Sequence, residues 1–144
     1  MLGMLKKHTV ELCPEVSGKI THNNVPLQNQ TVIRSLTYND DETVEKCVTN
    51  SEGMFMFPEK SIKSRLPGNI LHETAIRQII FVEFQDQELL IWFANQREII
   101  SPESFSRLMS NLKAELTNAE QVYEFENSEF PASPFRVRSL CVLK

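Results

Sequence analysis

Four glycines are scattered through 144 residues, and no two of them are adjacent. Gly-rich loops that cradle phosphate are therefore excluded. Three cysteines, Cys13, Cys47 and Cys141, form no CxxC pair. That spacing offers neither a disulfide framework nor a cysteine-ligated zinc site. The expected state is three reduced thiols buried as small core residues, in a reducing compartment. The three histidines, His8, His22 and His72, show no HxxxH or HExxH spacing, and there is no GxSxG nucleophile elbow. No apolar run approaches the ~20 residues of a membrane span. The longest, Leu89 to Ala94, has the length of a strand. At the N-terminus, "MLGMLKKHTVELCPEV" carries an apolar run from Met1 to Leu5 that is too short for a secretory core, and its lysines follow that run. These features predict a cytoplasmic protein with no membrane association and no cofactor. Basic side chains number 15 against 19 acidic ones, a formal charge of −4. That balance argues against sequence-independent nucleic-acid binding and suits a basic protein partner.

What is present is a β pattern. Hydrophobic residues make up 41% of the chain, enough for a folded core. Glu15 to His22 alternates Val16, Gly18 and Ile20 with polar neighbours, a period of two. Asn23-Asn24 and Pro26 read as a turn. Thr31 to Tyr38 is rich in β-branched residues, and Asn39 to Glu42 is an acidic turn. Thr43 to Thr49 follows as a strand with Val44, Lys46 and Val48 on one face, and Met54 to Phe57 as a short one. Gln78 to Phe84 and Glu88 to Ala94 are nearly continuous in apolar character, which predicts burial on both faces. Val122 and Phe125 mark a further strand, and Phe135 to Leu143 closes the chain.

Elsewhere the texture changes. Glu59 to Asn69 suits a helical turn stopped by Pro67-Gly68. Ser101-Pro102-Glu103-Ser104 reads as a helix start with serine as cap, followed by Phe105, Leu108, Met109 and Leu112 at helical spacing. About seven or eight short strands with one or two short helices predict a mainly β, antiparallel sandwich. Without βαβ alternation, a parallel sheet is not expected. One domain is expected over 1–144. It comprises an N-terminal extension at 1–14, a first β half at 15–57, an irregular loop at 58–77, and the remaining strands with a helix at 78–144.

"VTNSEGMFMFP", Val48 to Pro58, reads as a hairpin turn entering a core strand. Asn50 can bond its own backbone, Gly53 tolerates positive φ, and Phe55 and Phe57 face the same way. Arg136 and Arg138 share one face of the last strand. They could hold an anion, but are read as charges that guard an edge strand. Trp92 reads as core.

The arrangement "SGKITHNNVPLQNQTVIR … CVTNSEGMFMF" resembles the opening half of prealbumin-like domains, which include transthyretin and the carboxypeptidase regulatory-like domain. Gly18, Pro26-Leu27, Val32 and Thr49 to Phe57 carry the likeness, with Asn50 in place of the usual aspartate. The resemblance covers residues 16–57 and implies a β-sandwich. The whole chain, notably "FPEKSIKSRLPGN" and "RQIIFVEFQDQELLIWF", looks like a small group of bacterial proteins with such a fold. Relatives near type VI secretion effectors imply an immunity role. The related 5-hydroxyisourate hydrolase uses histidines, an arginine and a Tyr-Arg-Gly-Ser tail, but this chain ends "FRVRSLCVLK", and no histidine follows His72.

The expectation is a non-enzymatic module that occludes a basic toxin or effector. Its expected contacts are the acidic tip Asp40, Asp41 and Glu42, and Arg65, Leu66, Asn69, His72 and Glu73 in the irregular loop. The alternatives are a small hydrolase built on His22 with Arg34 or His72, and an adaptor that binds through a sheet edge.

Overall fold

A computed structural model describes residues 6–128 and 130–144. The apolar run Met1 to Leu5 and part of the expected N-terminal extension lie outside the described residues. Twelve strands occur among the described residues, more than the sequence pattern predicts. They are β1 (His8–Cys13), β2 (Val16–His22), β3 (Val25–Pro26), β4 (Thr31–Tyr38), β5 (Asp41–Val48), β6 (Met54–Phe57), β7 (Lys60–Ser64), β8 (Ile76–Phe84), β9 (Gln87–Gln96), β10 (Leu112–Glu115), β11 (Gln121–Phe125) and β12 (Phe135–Ser139). A 3-10 turn spans Leu66–Gly68, and one α-helix, α1, spans Glu103–Met109.

The strands form a six-stranded sheet in the order β11-β12-β9-β8-β4-β5, a four-stranded sheet centred on β2, and the pair β1-β7. The architecture is mainly β, with packed sheets. Three two-residue turns carry positive φ at both central positions: Asn23-Asn24, Asn39-Asp40 and Gln85-Asp86. Mirror-image turns of this kind match the right-handed twist of hairpin strands.

Several elements differ from expectation. His8–Cys13 belongs to the core as β1, with Val10, Leu12 and Cys13 buried. Lys60–Ser64 is a strand because β1 offers it a partner, not a helical turn. Leu112 leaves the helix and opens β10, which runs parallel to β2. A long connection, not a βαβ unit, supplies that parallel strand. Pro102, not Ser101, caps α1, while the Ser101 amide donates to Glu11 Oε1 at 2.9 Å. Phe105, Leu108 and Met109 are buried as their spacing predicts. Arg136 and Arg138 do not guard an edge: β12 lies between β11 and β9.

The turn after β5 forms as expected. Asn50 Oδ1 accepts the amides of Glu52 and Met54, both at 2.9 Å, and Gly53 has φ +76°. It is not the expected hairpin, however, because β5 and β6 do not pair with each other. β5 pairs with β4 in the large sheet, while β6 pairs with β2 in the other. The turn therefore carries the chain from one layer to the next, and Phe55 and Phe57 enter the core between them.

The inner face of the large sheet is lined by Val32, Leu36, Ile80, Trp92, Ala94 and Val137, all buried. The outer face of β8 and β9 is only half-buried, at Ile79, Phe81, Leu90 and Phe93, so burial on both faces is incomplete. A buried polar network ties β1 to this sheet. Trp92 Nε1 donates to Gln78 Oε1 at 3.0 Å, and Gln78 Nε2 donates to Leu12 O at 2.9 Å. Gln96 Nε2 donates to Glu11 O at 2.9 Å. Buried amides of this kind cost little only while every partner is present.

Candidate functional site

The register of the large sheet gathers its irregular segments at one end. Tyr38 lies opposite Ile76, Ile76 opposite Gln96, Ala94 opposite Val137, and Phe135 opposite Phe125. The β4–β5 turn, the 65–75 segment, the 97–102 connection and the 126–134 loop therefore all leave from the same end. Loops projecting from a rigid sheet are where binding side chains concentrate.

Tyr38 joins two of these segments. Its side chain is buried, and its hydroxyl lies 3.1 Å from Ser64 Oγ and 3.4 Å from His72 Nε2. The His72 ring meets the tyrosine edge-on, with centroids 5.9 Å apart. Tyr38 precedes the Asn39-Asp40 turn, so this contact sets the 65–73 segment beside the acidic tip. Among the expected contacts, Asp40, Asp41, Glu42, Arg65 and Glu73 are exposed. Glu42 also accepts a hydrogen bond from Ser35 Oγ. Leu66, Asn69 and His72 are half-buried and hold the segment's shape. Leu66 packs on the core, and Asn69 folds the chain: its Oδ1 accepts the Leu71 amide at 2.9 Å and its carbonyl accepts the His72 amide at 3.0 Å.

That fold presents two residues missing from the sequence-based set. Ile70 is 96% exposed and Leu71 87% exposed, the most exposed large apolar side chains among the described residues. They are consecutive, and they stand on a hydrogen-bonded turn in the segment that His72 ties to Tyr38. The signal was present in "PGNILHE": a turn-forming Gly-Asn followed by two aliphatic residues with no alternation to bury them.

The residues considered for hydrolysis have separate engagements. His22 packs against Phe84 with centroids 5.1 Å apart. Arg34 is fully buried, donating to Glu45 Oε1 and to Pro58 O, each at 2.8 Å, with Phe57 4.9 Å away beneath its guanidinium. His72 is held by Tyr38. Burial pushes the Cys13 thiol up to about 12 and the Cys141 thiol up to about 11. Cys47 is half-buried, unlike the other two cysteines, and its thiol is also raised by burial. Among the described residues, no cluster of His, Cys, Asp and Glu is placed to hold a metal ion. No helix among them is long and apolar enough to cross a membrane.

Fold and loop geometry together define a mainly β protein of packed sheets that presents an exposed aliphatic pair and an acidic turn from one end. The chain belongs to the family described as Domain of unknown function (DUF6795), whose model matches residues 16–119. Neither a curated protein nor a solved structure matches it. The matched stretch contains the acidic tip and the whole 65–73 segment.

Proposed function

We propose that this is a non-enzymatic protein-binding module of prealbumin-like type, working in the cytoplasm as an immunity protein that occludes a basic toxin of the type VI secretion class. The observation that carries the reading is the exposed Ile70–Leu71 pair, held on a hydrogen-bonded turn in the segment that His72 ties to Tyr38, the residue just before the Asn39-Asp40 turn. Two exposed aliphatic side chains have no folding role. Desolvated in a partner's pocket they can act as anchors. The acidic turn at the same end of the sheet speeds encounter with a basic surface and selects against acidic ones. Occlusion needs no reacting group, and His22, Arg34 and His72 are each engaged in packing or hydrogen bonding within the fold.

Co-purification with the product of the neighbouring gene, with relief of its toxicity, tests the reading. Ile70→Asp or Leu71→Asp should weaken the complex by about 2 kcal/mol or more, mostly through faster dissociation. Reversing Asp40 and Asp41 to lysine should slow association and flatten its salt dependence. If no tight complex forms and toxicity persists, the immunity reading fails.

A sheet-edge adaptor role has one specific observation in its favour. Among the described residues β5 pairs only with β4 and offers an eight-residue edge that exposes Val44 and Val48 on either side of Lys46. Concentration-dependent self-association, abolished by Val44→Lys, would favour that role over the first.

A further inference from the structure

The opposite side of the same end has a different chemistry. A cleft of about 860 Å³ lies over β9, β12 and β11 and beneath the 126–134 loop. Among the described residues its charged lining is three arginines, Arg97, Arg136 and Arg138, against one carboxylate, Glu98. That local excess of positive charge stands out in a chain whose formal charge is −4. Arg136 is paired with Glu124 at 3.0 Å, on an exposed surface where such a pair is worth little. Arg97 and Arg138 make no ion pair among the described residues, and Arg138 lies over the Phe93 ring at 5.8 Å.

The apolar lining is equally distinctive. Phe93 forms part of the floor and continues the half-buried row of the outer sheet face, where it lies opposite Ile79. Val122 is 60% exposed on β11, and Phe130 is 59% exposed on the loop. Phe130 is displayed by a folded loop. Asn127 Oδ1 accepts its amide at 3.2 Å, its carbonyl accepts the Ser133 amide at 2.9 Å, and Asn127 Nδ2 donates to Ser133 O at 3.1 Å. Aromatic rings and unpaired guanidinium groups facing one concavity are the composition of a recognition surface, not of a solvated face.

We propose that this cleft binds a short acidic peptide segment of a partner protein, one that carries aliphatic or aromatic side chains beside its carboxylates. Arg97 and Arg138 take the carboxylates, since a guanidinium fork matches a carboxylate's two oxygens. Phe93, Val122 and Phe130 receive the apolar side chains. Charge complementarity selects the occupant: the cleft is basic while the tip at β4 and β5 is acidic, so one end of the sheet offers two subsites of opposite sign. A formal charge of −4 disfavours a nucleic acid, which carries a phosphate at every nucleotide, more than a short peptide in which carboxylates alternate with apolar side chains. This assignment goes beyond the toxin-binding reading and uses none of its contact residues.

The test is fluorescence anisotropy of the full chain with a labelled peptide in which glutamate alternates with leucine and phenylalanine. Controls replace every glutamate by glutamine or by lysine, and a single-stranded oligothymidylate is titrated at the same salt. The glutamate peptide should bind, with affinity falling as salt rises. Arg97→Glu and Arg138→Glu should each weaken binding about tenfold or more. Phe130→Ser, on an exposed loop, should weaken it while leaving the salt dependence intact. Ile70→Asp should leave the peptide's affinity unchanged, so this assignment and the toxin-binding reading can fail separately. The assignment is overturned if no glutamate peptide binds, if the glutamine peptide binds as well, if the arginine reversals change nothing, or if the oligothymidylate binds more tightly.

Discussion

Phe57 is 2% exposed, stacks edge-on with Phe55 at 6.3 Å and lies beneath the buried Arg34 guanidinium. Its period-two spacing from Phe55 placed it in the core from the sequence alone. Its contact with Arg34 was not legible, because an arginine on the inner face of a strand breaks the pattern that sequence reading relies on. The fold tolerates that charge because Glu45 and the Pro58 carbonyl lie within hydrogen-bonding distance. Removing the Phe57 ring leaves a cavity and uncovers the guanidinium. Phe57→Ala should cost about 3–5 kcal/mol in a denaturation midpoint series. A near-neutral result would contradict the buried position. Gly18 is as tightly constrained: a Cβ there would lie 2.7 Å from Leu112 O and from the Phe55 ring, so only glycine lets β10 pass alongside β2.

Between elements, a single carboxylate closes the end of the parallel β2–β10 ladder. Glu115 Oε1 accepts the Asn24 amide at 2.6 Å and the Thr21 hydroxyl at 3.0 Å. Its Oε2 accepts the amides of Asn23 at 3.1 Å and Thr117 at 3.0 Å, and the Thr117 hydroxyl at 2.7 Å. One side chain at the end of β10 thus secures the tight turn at the end of β2. Hydrogen bonds to the ionised form, the Asn24 amide foremost, lower its pKa to about 2. Because the folded value is depressed, the stabilisation is whole above the ordinary carboxylate range and is lost as pH falls toward about 2. Glu115→Gln should therefore unfold at lower denaturant at neutral pH, and its deficit should shrink as both proteins are acidified. A deficit independent of pH would show that the carboxylate's charge is not involved. The Asn23-Asn24 turn was plain in the sequence, but its anchor, more than ninety residues away, was not, because no local pattern marks a glutamate that accepts distant amides.

Across the whole molecule, β1 lies in the stretch 1–14 that the sequence pattern assigns to an N-terminal extension of the domain, not to a strand. Its alternation is brief, and its pairing partner β7 looked helical, so neither strand could be recognised without the other. The structure joins β1 to the large sheet through Gln78, Trp92 and Gln96. Gln78→Leu would strand the Trp92 N–H and the Leu12 carbonyl in the core, at about 1–3 kcal/mol for each group left unpaired. Amide exchange should then rise first in β1 and β7, and uniform protection across both strands would argue against the network as their tether. For the candidate site, the acidic tip and the irregular segment were each visible in the sequence as turn-forming, charged stretches. Their adjacency was not, because it runs through Tyr38, at the end of one strand, meeting His72 in a loop more than thirty residues on. The arginine cleft is hidden from the sequence for a related reason. The spacing of Arg136 and Arg138 shows that they share a face, but only strand order decides whether that face is an edge or a floor. The sequence by itself determined the local alphabet: most of the β-strands, the asparagine turns, the Phe55–Phe57 face and the absence of catalytic or metal-binding motifs. These depend on neighbours a few positions apart, which backbone sterics and side-chain period couple directly. The tertiary structure alone decided which strands pair, which sheet each joins and which loops share an end, because those choices are made by burial and hydrogen bonding between residues far apart in the chain.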